Sequence, residues 1–163
     1  MKIPDFKIST YDFFNKFILG LVLIGVATFS FIDSIQNHIV PIMDFIQRTQ
    51  LISTAFIFGF IYEVGIIINR IGSLIEEFLK AYNFIPYDDD YKKYNERKKE
   101  YPIMQTLSRE YALSRNSIAL FLLISIITFF RFCCYGFIPL LIMFLFYLSC
   151  KKYAHKINKL MNE

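Results

Sequence analysis

The sequence predicts an all-α, polytopic membrane protein: four transmembrane helices, with a helical cytosolic extension between spans two and three. Three observations carry that expectation. The 163-residue chain is 55% hydrophobic and only 20% charged, more apolar surface than one soluble core of this size needs. That surface is gathered into four charge-poor runs of near-membrane length. Lys and Arg then alternate between the connecting segments as they do in a chain that crosses a bilayer four times. The chain has no Trp, but its 19 Phe and 11 Tyr are suited to packing between membrane helices or lying at headgroup level.

A helix needs roughly 17 to 25 residues to cross about 30 Å of hydrocarbon. The first run, Phe17 to Ile32 (FILGLVLIGVATFSFI), has 16 residues. It becomes a full span over about 13–33 when Phe13 and Phe14 enter the interface and Lys16 snorkels. A secretory signal peptide is an alternative for this run, but Lys2, Lys7 and Lys16 precede it and no small-x-small cleavage site follows. The second run, Leu51 to Asn69, has 19 residues interrupted only by Glu63 and closes at Arg70. The third and fourth are about 116–131 and 132–150, separated by Arg131. Because Pro139 interrupts the last run, a re-entrant hairpin is an alternative, as is a buried helical pair in a soluble protein. Each half is long enough to cross, so a tight transmembrane hairpin is preferred.

Sixteen Lys and Arg fall in the N-terminal segment, the segment from Arg70 to Arg115 and the tail after Cys150; only Arg48 and Arg131 fall in the other two connections. Cytoplasmic segments retain such an excess, so both termini are expected in the cytoplasm. The expected organisation is an N-terminal membrane hairpin (1–70), a cytosolic helical stalk and charged loop (71–115), and a C-terminal membrane hairpin with a basic tail (116–163). Between spans one and two, Ile35, Ile39, Ile42 and Phe45 or Ile46 keep one helical face broken at Pro41, but an ordinary interfacial loop is the preferred reading. In the stalk, Leu74, Ile75, Phe78, Leu79 and Tyr82 before the loop and Ile103, Leu107 and Tyr111 after it keep helical spacing.

The loop between the stalk helices mixes basic residues with tyrosines, but Asp88, Asp89, Asp90, Glu96 and Glu100 cancel Lys92, Lys93, Arg97, Lys98 and Lys99. A phosphate-binding surface needs uncompensated positive charge, so no nucleic acid is expected. Acidic residues preceding basic ones suit a short helix and its dipole. Tyr87, Tyr91, Tyr94 and Tyr101 would form an aromatic stripe along it, read as internal packing or a protein contact.

Glu63 is the residue that stands out, because an ionisable group within a span costs on the order of 2.5 to 3.5 kcal/mol on insertion scales. Ala55, Gly59, Glu63, Ile66 and Arg70 share one helix face, and Gly65, Asn69 and Gly72 the opposite one. Small residues permit close helix approach, so span two is expected to be packed on both sides. Two roles stay open for Glu63: a helix-packing group bonded to Ser117, Ser125 or Thr128, or a carboxylate facing a hydrated pathway. The pathway or packing candidates are therefore Glu63, Gly59, Asn69 and Arg70.

Cys133 and Cys134 lie at one end of the hairpin and Cys150 at the other, so no structural disulfide is expected. His38 and His155 fall on opposite sides of the membrane in this topology, and neither has a second ligand at metal-binding spacing. With no Gly-rich phosphate loop and no nucleophile and base pair, neither an enzyme nor a cofactor is expected.

The run Ser108 to Leu120 (SREYALSRNSIAL) enters the third span and resembles the pre-span segment of small multi-span membrane proteins of bacterial anti-phage defence loci. That resemblance implies a component of the cytoplasmic (inner) membrane that works with a cytosolic protein partner and perturbs the bilayer after infection is sensed. Arg109 and Arg115 are the positions carried over; from the residues alone they are a cationic helix start at the inner headgroups. With Tyr87, Tyr91 and Tyr94 they make up the candidate cytosolic interface. Two functions are thus expected as alternatives: a homo-oligomeric membrane effector or channel-like component, or a non-conducting scaffold or sensor subunit that recruits a partner.

Overall fold

The structure, a computed structural model, describes residues 10–48, 50–86 and 90–162; the side chains of 32–48, 50, 51, Tyr91 and Cys133 are outside the description. Its elements are α1 (Thr10–Arg48), α2 (Gln50–Ala81), α3 (Tyr91–Glu100), α4 (Ile103–Phe132), a 3₁₀ turn (Cys133–Gly136) and α5 (Phe137–Asn162). Four stretches within them are long and apolar enough to cross a membrane: Thr10–Phe31, Ile52–Ala81, Ile103–Phe132 and Cys134–Asn162. The chain is all-α among the described residues and is a multi-pass membrane protein.

Helix boundaries differ from those the charge pattern predicts. The segment expected as an interfacial loop, or as a helical face broken at Pro41, is helical through to Arg48; one proline removes a single backbone bond, which neighbouring groups can re-satisfy. Arg70 and Arg115, which bound the charge-free runs, lie inside α2 and α4, because a charge on one face of a helix leaves its backbone ladder intact. Pro139 sits in the first turn of α5, where its missing N–H has no intrahelical partner to lose, so it does not interrupt that helix.

By contact the chain divides into two compact units, Met1–Ile68 and Asn69–Glu163, with the boundary inside α2. In the first unit α1 and α2 approach at two glycines. A Cβ on Gly20 would collide with the Ile61 carbonyl oxygen, and one on Gly65 with the Lys16 backbone. Stacked rings flank these points, Phe13 on Tyr62 at 5.1 Å and Phe17 on Phe58 at 5.3 Å. Small residues with flanking aromatics are the means by which helices pack where hydrophobic exclusion supplies no driving force.

In the second unit, α4 presents Met104, Leu107, Tyr111 and Ile118, and α5 presents Cys150, Ala154, Ile157 and Met161, to one core. Both sets follow a helical repeat of three and four residues. The segment after Cys150, expected as a basic tail, is therefore the C-terminal part of α5, and its Ala154, Ile157 and Met161 are buried. Asn83 ends the turn after α2 in a left-handed conformation, φ 56°. Its N–H bonds the Lys80 carbonyl and that of Phe84 bonds the Leu79 carbonyl, both at 2.9 Å, the paired closure of a helix C-terminus. Asp90 caps α3 by accepting from the Lys92 and Lys93 amides at 3.1 and 3.0 Å. Tyr94 and Tyr101 then pack α3 onto the core, and Lys93 donates to Asn162 at 2.7 Å.

Candidate functional site

Helix α2 has two chemically distinct faces. Gly65, Ile68, Gly72 and Glu76 are buried, while Ala55, Gly59, Glu63 and Arg70 are exposed. The expectation that both faces of span two are packed holds for one face within this chain. Close approach explains which one: Gly72 lies against Asn116 and Arg115, whereas a Cβ on Gly59 would meet nothing within 4 Å.

On the open face Ile52, Phe56 and Phe60 are 63%, 75% and 64% exposed. With Ala55 and Gly59 they line an apolar groove of about 620 Å³. Glu63 stands one turn beyond Gly59 and makes no hydrogen bond or ion pair among the described residues. Two of its three expected partners are committed elsewhere. Ser125 donates to the Gly136 carbonyl at 2.9 Å, and Thr128 to the Ile124 and Ser125 carbonyls at 2.8 and 3.0 Å. Ser117 is buried in the second unit. In the first unit, Lys16 touches Gly65 through its backbone and holds its ammonium 6.0 Å from the centre of the Tyr62 ring. A cation and a carboxylate thus lie near the same depth, on different helices.

The closed face carries a charged cluster that composition and spacing did not single out. Glu76 is only 8% exposed. Its Oε2 accepts from Arg115 Nη1 at 2.7 Å, and its Oε1 accepts from the Tyr111 hydroxyl and Lys80 Nζ, both at 2.9 Å. Arg115 also donates to Asn69 Oδ1 at 3.0 Å and Asn116 Oδ1 at 3.3 Å. Three donors on two carboxylate oxygens compensate the burial that would otherwise make this group prohibitive. Asn69, Arg115 and Glu76 tie the end of α2 to α4, with the Arg115 side chain 18% exposed. Arg109, by contrast, is exposed.

Of the candidate interface tyrosines, Tyr94 is half-buried against the core, Tyr91 opens α3, and Tyr87 lies outside the described residues. Cys134 is exposed and Cys150 buried, both as free thiols, and no group of His, Cys, Asp and Glu among the described residues could hold a metal ion. The first unit therefore offers a bare carboxylate on a small-residue face, and the second a buried ionic cluster. No protein-family model, curated protein or solved structure matches the chain.

Proposed function

We propose that the protein is an oligomeric membrane effector in which copies meet through the open face of α2 and enclose a hydrated path at Glu63. The observation that carries this is the Glu63 carboxylate itself: it sits on an apolar face of a spanning helix and has no partner among the described residues. An ion so placed is expensive against lipid and becomes tolerable when water or another helix covers it. Gly59 and Ala55 leave room on that face for a second backbone. Copies arranged in this way would ring their carboxylates and favour cations. The termini are taken as cytoplasmic from the Lys and Arg distribution, and the Ser108 to Leu120 resemblance supports a role in anti-phage defence in the inner membrane with a cytosolic partner. The scaffold alternative would bind a partner through the stalk and the tyrosine stripe, of which Tyr94 and Tyr101 are half-buried against the core.

The test is flux. Liposomes containing the purified chain, alone and with bacterial lysate fractions as a source of activator, should pass cations, and Glu63→Gln should lower cation relative to anion permeability. Vesicles that stay tight in every condition, or a Glu63→Gln protein with unchanged selectivity, would remove the reading.

A further inference from the structure

The apolar residues that spacing assigns to a stalk interior divide sharply between inside and outside. Ile75 and Leu79 pack on the core, whereas Leu74, Phe78, Tyr82 and Phe84 are 64%, 57%, 62% and 50% exposed. The three rings form a chain, Phe78 to Tyr82 at 4.6 Å and Tyr82 to Phe84 at 6.3 Å between centroids. This surface needs an occupant. We infer that the Phe78, Tyr82 and Phe84 rings are an interfacial anchor that lies among lipid headgroups.

Two observations point to lipid rather than to a protein. The patch lies on an apolar face: by helical spacing Leu74 and Phe78 share one side of α2, and both are more than half exposed. At 32 residues, α2 is about 48 Å long, close to a bilayer of about 40–45 Å with its headgroups included. The other helix marks the depth. The exposed apolar run of α5 stops at Leu148, and Lys151 and Lys152 are exposed just beyond it. Tyr147, one residue before that stop, donates to the Phe84 carbonyl at 3.3 Å. The ring chain thus lies where α5 changes from aliphatic to cationic surface, the depth at which aromatic side chains concentrate. Rigid rings held there would fix the tilt of α2, which packing and interfacial anchors set.

The absence of Trp makes the test direct. Phe78→Trp, Tyr82→Trp and Phe84→Trp each give a single fluorophore, and Tyr101→Trp, at a half-buried core position, gives a protected reference. Each full-length variant is placed in phosphatidylcholine and phosphatidylglycerol vesicles, with or without bromine at the 6,7 position of the acyl chains. The three ring positions should lose about half of their emission to brominated lipid while aqueous iodide quenches them less than free Trp, as expected at headgroup depth. Strong iodide quenching with no bromine effect would mean a solvated surface. Protection from both would mean a covering protein chain. Either result overturns the assignment, and agreement among three positions guards against one variant that fails to fold.

Discussion

Replacing Glu76 by Gln should reveal how much the chain depends on its one described buried ion pair between α2 and α4. The change keeps the side-chain volume and an acceptor but removes the charge facing Arg115 and Lys80. Removing one partner of a buried pair costs about 3–5 kcal/mol. Here the side chains of Arg115 and Lys80 keep 18% and 21% of their surface in contact with solvent. Arg115 also keeps Asn69 and Asn116, so about 2–3 kcal/mol is expected. For a chain of this size each kcal/mol moves the midpoint by about 2–4 °C. Thermal unfolding in detergent, followed by circular dichroism, should therefore drop by roughly 4–12 °C. The paired variant Glu76→Leu with Arg115→Met should recover much of that loss, because a buried pair replaced by apolar groups is often neutral. A Glu76→Gln midpoint within a degree of wild type, or a paired variant worse than either single one, would refute the structural role of the cluster.

Two glycines of α1 and α2 should respond with opposite signs. Gly65→Ala places a Cβ into the Lys16 backbone and should destabilise by more than about 1 kcal/mol, exceeding the helix-propensity gain. Gly25→Ala, with nothing within 4 Å, should be neutral or stabilising by up to about 1 kcal/mol; the two unfolding midpoints decide the matter. Ile157→Ala removes a side chain of 0% exposure from the last third of α5 and should cost about 2–5 kcal/mol. A loose C-terminal tail would instead show no change in the same melting experiment.

The four crossings are legible in the sequence because apolar runs of that length have few other uses. Their ends are not legible. Arg70 and Arg115 mark where charge first occurs, but Arg115 is folded into the bundle and α2 continues to Ala81. Glu76 is hard to distinguish in sequence because it sits in the run EEFLK, which reads as a solvated surface. A signal was present: Gly65, Asn69, Gly72 and Glu76 fall on one helix face at intervals of four, three and four residues. Small and polar residues sharing that face indicate a packed, polar seam. Spacing also merged Leu74, Phe78 and Tyr82 with Ile75 and Leu79, since a stripe wide enough to hold all five covers both the core side and the lipid side. Glu63 itself is conspicuous in the sequence, yet only the geometry reveals that its face is open while the face of Gly65 is closed.

Cysteine cross-linking at Gly59 tests most directly whether that open face is where copies meet. In a background with Cys133 and Cys134 changed to Ser and Cys150 to Ala, Gly59→Cys in native membranes should form disulfide-linked dimers under mild oxidation. Ile68→Cys, fully buried on the closed face, should not. Monomeric Gly59→Cys protein at every oxidant level would contradict assembly through this face of α2.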